Sequence, residues 1–371
     1  MAVVPVAPES LATQGGAKFK GFVVKAFLAV TLLLAACGTK SETDGAAKKI
    51  SVIAVTYPQY DWFKNVLGGR ADAVDLKLLI KNGADLHSYQ PSAQDIAAIA
   101  SADMVVYVGG ESDEWIEKAL AATPKEGRIE VNMMKVLGDR VKEEEVVEGM
   151  QGETKDEKPA LSLPKGRKTK EIAEENHEHA ERHHHHDEEE EVENDEHIWL
   201  SLKNAEMLVK ALAESIAKLD TAHATEYHMN AALYIAKISA LDAQYRATME
   251  NATLKTILFG DRFPFRYLVD DYGIKYYAAF VGCSAESEAS FETITFLAGK
   301  MDSLALPAIF TIDGSDGKIA RAILDASKNS KNAEVLMLNS MQSVKDEQIK
   351  VGADYLSIMR DNLEVLKKAI K

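Results

Sequence analysis

Twice along this chain, short runs of β-branched and apolar residues alternate with helical stretches, and one long stretch without glycine or proline separates the two sets. The first set has strand-like runs at 50–56, 74–80, 104–108 and 129–132, with helical patterns at 58–67, closed by Gly68-Gly69, and at 92–102. The second has strand-like runs at 256–259, 274–281, 308–312 and 335–338. Such alternation predicts βαβ units around parallel sheets, because parallel neighbours need a crossover connection and a helix is the compact way to supply one. The expected fold is therefore α/β, with two similar lobes, each a mainly parallel sheet flanked by helices. Residues 201–249, rich in Ala, Leu, Glu and Lys, predict one long rigid helix joining a lobe at 49–200 to a lobe at 250–371.

The amino terminus has a different character. Lys18, Lys20 and Lys25 precede an apolar run at 26–36 that is too short for an ordinary spanning helix, and the run closes as Leu34-Ala-Ala-Cys37-Gly38. This reads as an export signal over 1–36, with Cys37 as the lipidation site, and it resembles the bacterial lipobox. Residues 37–48 are then a polar tether. The expected location is outside the cytoplasm, lipid-anchored to the outer face of the bacterial cell membrane or periplasmic.

Charge narrows the classes of partner. Asp and Glu number 58 against 43 Lys and Arg, a net charge of −15, and no basic stripe interrupts the excess. Nucleic acid is excluded on that ground, whereas a cation suits the field. The acidity is densest at about 139–196, which has almost no aromatic residues and carries His177, His179 and His183, His184, His185 and His186. Too little apolar area is available there to offset the entropy of ordering, so this segment is expected to be a disordered loop that attracts metal.

Two histidines stand where a sheet would present them. His87, in Asn82-Gly-Ala-Asp-Leu-His87-Ser-Tyr-Gln-Pro-Ser92, follows an apolar strand and precedes a helix, the position where parallel sheets bind ligands. His197, in Asp195-Glu-His197-Ile-Trp-Leu200, lies between the acidic segment and the long helix, flanked by apolar residues that hold it to the body of the fold. His223 and His228 on that helix read as solvated, and Cys283 reads as a buried core thiol. No phosphate-binding loop, dinucleotide fingerprint or hydrolase nucleophile motif is present, and no enzyme is expected.

These two segments, in this order around a His-rich acidic insertion, resemble the ligand motifs of the solute-binding lipoproteins of zinc and manganese ABC importers, the cluster A-I type. The first resembles Gly-x-Asp-Pro-His-x-Tyr-x-Pro-Thr/Ser, with Leu86 in place of proline; the second resembles Asp-x-His-x-Trp-Leu. The resemblance extends over 49–371 and implies capture of a divalent metal between the lobes, zinc ahead of manganese. It also implies delivery to a membrane permease driven by an ATPase, by a receptor expected to be monomeric. His87 and His197 would bind as neutral imidazoles, which suit zinc. An envelope zinc buffer without an importer is the alternative.

The C-terminal half departs from that family's pattern. Its third ligand aligns with Gly260, in Phe259-Gly260-Asp261-Arg262-Phe263, and its fourth with Asn339. Glycine has no ligand side chain, so Asp261 is the expected third metal ligand. Asn339 and Asp313 are candidates for the metal or for the groups that support its ligands.

Overall fold

The structure, a computed structural model, describes residues 49–151, 193–284 and 288–370. The export signal, the tether with Cys37, and the histidines at 177–186 lie outside the described residues. Among those described, no helix is long and apolar enough to cross a membrane.

The N-terminal lobe runs β1 (Ile50–Ala54), α1 (Tyr57–Leu67), β2 (Val74–Leu78), α2 (Ala93–Ser101), β3 (Met104–Tyr107), α3 (Glu114–Ala122), β4 (Ile129–Asn132) and α4 (Met133–Leu137). Two helices follow, α5 (Leu202–Leu219) and α6 (Ala224–Glu250). The C-terminal lobe is β5 (Thr256–Phe263), α7 (Arg266–Tyr272), β6 (Lys275–Val281), α8 (Phe291–Ser303), β7 (Ala308–Ile312), α9 (Lys318–Ala326), β8 (Glu334–Leu338), α10 (Asp346–Lys350) and α11 (Tyr355–Ala369). Each lobe holds a four-stranded, wholly parallel sheet, ordered β2-β1-β3-β4 in the first and β6-β5-β7-β8 in the second. The expected pair of α/β lobes is what forms.

The strand sequences explain these orders. β3 (MVVY) and β7 (AIFTI) are buried at every position, as strands with layers on both faces must be. β2 (VDLKL) and β4 (IEVN) carry charges and take the edges, where half-exposed side chains reach water.

The single connecting helix expected over 201–249 is instead two, broken without glycine or proline. Asp220 leaves the α-helical region at φ −128°, ψ 72°, and its carboxylate accepts the His223 ring at 2.8 Å and the Tyr227 hydroxyl at 2.7 Å. A short acidic side chain thus offers local partners that compete with the helical ladder. The disorder expected over 139–196 is also corrected at both ends. Lys142 N–H donates to the Tyr267 hydroxyl, Glu144 N–H to Glu193 O, and Gln151 N–H to Ala279 O. The charge-rich composition concealed this backbone pairing, which does not depend on apolar side chains.

One continuous core runs from β1 and α1 through α5 and α6 to β5 and α11, and a smaller one lies under α8 and α9. The lobes also meet through polar links. Asp61 on α1, almost wholly buried, accepts the Tyr355 N–H and the Tyr234 hydroxyl, both at 3.1 Å, while Trp62 packs edge-on to Tyr355 with ring centroids 5.1 Å apart. Burial pushes the Asp61 carboxyl up to about 6. The folded chain therefore holds this proton to a higher pH than the unfolded chain does, and stability falls as pH rises from about 4 through 6. Asp61→Asn, neutral throughout, is expected to match the parent at pH 4 and to exceed its stability by about 2–3 kcal/mol at pH 8. Urea unfolding at the two pH values checks this; a constant difference would contradict it.

Candidate metal centre

His87 sits on a single 3-10 turn, Leu86–Ser88, beyond the carboxyl end of β2, and Asp85 caps that turn by accepting the His87 N–H at 3.0 Å. The other Asp85 oxygen pairs with the Arg262 guanidinium of β5, which ties the turn to the opposite lobe. The His87 Nδ1 lies 2.7 Å from Ser112 Oγ and 3.6 Å from Glu196 Oε2. Glu196 is buried, and its Oε1 accepts the Ser112 N–H at 2.7 Å. It fits only because Gly110 has no side chain, since a Cβ there would stand 2.2 Å from Glu196 Oε1.

His197 is fully buried just before α5. Asp195 Oδ1 accepts its backbone N–H at 2.8 Å and lies 3.0 Å from its ring Nδ1, an arrangement that favours the Nδ1–H tautomer and turns the Nε2 lone pair toward the centre. The Trp199 ring packs against the imidazole edge-on at 5.4 Å, and the Trp199 Nε1–H donates to Ser340 O at 2.8 Å. The Gln342 amide nitrogen lies 2.8 Å from His197 Nε2, the atom that faces the centre.

The two imidazoles thus engage Nδ1 elsewhere, His197 with the Asp195 carboxylate and His87 with the Ser112 hydroxyl, and aim Nε2 at one another, 3.1 Å apart. Tetrahedral zinc with bonds of about 2.0–2.1 Å holds its nitrogen ligands about 3.3 Å apart, so this separation matches two ligands of one ion. Burial and the neighbouring His197 hold the His87 pKa down at about 3, which keeps that ring in its neutral, ligating form. Among the described residues, one other group joins them: a ligand atom of Cys283 lies within 4.8 Å of those of both histidines.

This chain belongs to the zinc-uptake component A family. The family described as zinc-uptake complex component A, periplasmic, matches residues 52–369. The zinc-binding lipoprotein AdcA of Streptococcus pneumoniae is 30% identical over 339 residues, covering 91% of this chain and 58% of AdcA. The chain therefore spans little more than half the length of that relative. The high-affinity zinc uptake system protein ZnuA of Bacillus subtilis is 29% identical over 356 residues, 95% of this chain and 98% of ZnuA. Among solved structures, the Zn(II)-bound ZnuA-like domain of S. pneumoniae AdcA superposes with a TM-score of 0.62 at 24% identity, and the periplasmic zinc-binding protein TroA of Treponema pallidum with 0.64 at 22%. Each covers 87% of this chain and 99% of the other, which establishes a shared fold.

Within this family fold, the structure brings His87 and His197 together and leaves Asp261 out of their group. The Asp261 carboxylate accepts the Arg262 N–H at 2.9 Å and is held beside Ile312 and Ser315, on the β7 side of β5. Asn339 is occupied as well: its side chain accepts the Met341 N–H at 2.8 Å, and its backbone pairs with the Asn362 amide. Asp313 acts at one remove. It accepts Ser340 N–H and Oγ–H at 2.6 and 2.7 Å, and Ser340 Oγ in turn meets Gln342 Oε1 at 3.1 Å, the side chain that faces His197. Cys283, expected in the core, instead stands beside the histidines. Its position directly after the apolar run of β6, at a strand's carboxyl end, is the same signal that singled out His87.

Proposed function

We propose that this chain is the extracytoplasmic capture component of an ABC importer, taking up zinc between its two lobes and passing it to a permease driven by an ATPase. The observation that carries the reading is the pair of Nε2 atoms 3.1 Å apart, with the Nδ1 of His197 held by the Asp195 carboxylate and that of His87 by the Ser112 hydroxyl. Two imidazoles oriented this way suit zinc better than manganese, which favours oxygen donors. The names of AdcA and ZnuA support the same cargo. Lipid on Cys37 would hold the protein at the outer face of the membrane. The histidines 177, 179 and 183–186, within their acidic run, would raise the local metal concentration as a weak auxiliary site. The role is binding and delivery, with no chemical step.

The test is calorimetric titration of zinc and of manganese, under a competing chelator, into a chain in which residues 152–192 are replaced by a short Gly/Ser linker. Tight binding of one zinc with much weaker manganese binding is the expected result. Loss of all tight zinc binding with the insertion would reduce the protein to a buffer and overturn the reading.

A further inference from the structure

We infer that Cys283 is the third metal ligand, so that the centre takes its cargo with a His-His-Cys donor set and selects for thiophilic divalent cations. The inference rests on the capture reading above and supplies one donor to a site where Gly260 has no ligand side chain and Asn339 is occupied by Met341.

The placement of Cys283 is built rather than incidental. The end of β6 can reach His197 only because residue 282 is glycine: a Cβ there would stand 3.0 Å from His197 Cε1 and 2.9 Å from Phe263 O. Immediately afterwards, the Cys283 N–H is fixed by Glu144 Oε1 at 2.9 Å, a carboxylate from the ordered stem that leads into the His-rich insertion. Two independent constraints therefore set the sulfur within 4.8 Å of a ring nitrogen of each histidine. Zinc bonds of about 2.3 Å to sulfur and 2.0–2.1 Å to nitrogen place those ligand atoms about 3.5 Å apart, within reach of a side-chain rotation from the observed group. No described Asp or Glu joins this group, so the thiolate is its one anionic donor. A fourth position stays open for water or a neighbouring amide.

Loading involves no oxidation. The S–H bond breaks and a sulfur–metal bond forms: burial and the Glu144 carboxylate hold the proton on the free thiol, and the incoming cation displaces it to solvent. Thiolate ligation favours zinc and cadmium and penalises manganese, whose preferred donors are oxygens.

Cobalt(II) is the probe, because thiolate ligation gives it an intense near-ultraviolet charge-transfer band that imidazole and carboxylate ligands do not. The sequence contains two cysteines, so the full chain carrying Cys37→Ser has Cys283 as its sole sulfhydryl, and cobalt on the insertion's histidines is silent in that band. We expect the band to appear on cobalt addition, to be displaced by zinc or cadmium, and to vanish in Cys283→Ser. That variant should still bind zinc through its histidines, on the order of 100-fold more weakly. His87→Ala serves as the second variant. Cobalt binding that depends on His87 but produces no near-ultraviolet band would overturn the thiolate and leave the capture reading standing. Absence of any His87-dependent binding would overturn both.

Discussion

Gly260→His, the substitution that restores a family-like ligand residue to its aligned position, is expected to wreck the C-terminal lobe without improving zinc binding. A Cβ at residue 260 would lie 2.5 Å from the Ala320 Cα, 2.7 Å from its nitrogen and 2.8 Å from its Cβ. The first two of these atoms are backbone of α9, which packs directly on β5, so no rotamer relieves the overlap. Relief requires the helix to lift off the sheet and to expose the smaller core, where Ala320, Ile323 and Leu324 meet Leu258 and Ile309. Overpacking of this kind costs about 1–3 kcal/mol for a methyl group and more for an imidazole, so Gly260→His should lose about 3–5 kcal/mol. Gly260→Ala should fall between it and the parent. Denaturant unfolding monitored by circular dichroism reads both. Parental stability in the histidine variant, or a gain in zinc affinity, would mean that residue 260 points toward the metal after all.

The same contact explains why the third ligand was illegible in the sequence while the first two were not. His87 and His197 carry their context locally: Asp85 two residues before one and Asp195 two residues before the other each bind the histidine's own backbone N–H. A short motif can encode that geometry. The direction of a β-strand side chain is set instead by register, and the β5–β6 pairing shifts between Phe259 and Arg262, across the two residues in question. Adjacency to Gly260 therefore says nothing about where Asp261 points, and its carboxylate is found beside Ile312 and Ser315. Cys283 was hidden for a different reason. It follows an apolar strand and sits in no short motif with another ligand residue, and its approach to the histidines depends on a contact with Glu144, 139 residues away in sequence. The lobes were readable because continuous apolar runs such as β3 and β7 have one stable use in an α/β chain. The break between α5 and α6 was not, since it depends on Asp220 finding His223 and Tyr227 rather than on a helix-breaking residue.

His197→Ala is expected to remove zinc binding between the lobes, with affinity falling on the order of 1000-fold, the largest single loss any residue here should produce. Structural zinc sites are worth about 10–16 kcal/mol across their ligands, so one ligand's share corresponds to a drop of that order. His197 should stand at or above that share because it works in three directions at once. Its Nε2 faces His87, its Nδ1 is fixed by Asp195, and its ring packs on Trp199, which ties α5 to the Ser340 turn of the C-terminal lobe. Truncation also opens a cavity at a fully buried position and takes one partner from a buried carboxylate, so the metal-free protein should lose about 2–4 kcal/mol of stability. Asp195→Asn separates the two effects. It keeps the imidazole and the volume but no longer holds the ring proton by charge, and its zinc affinity should fall about 10–100-fold with the fold nearly intact. Chelator competition on the insertion-free chain, paired with unfolding curves for each metal-free variant, measures both quantities. An affinity unchanged in His197→Ala would place the metal elsewhere, whatever the geometry of the two rings.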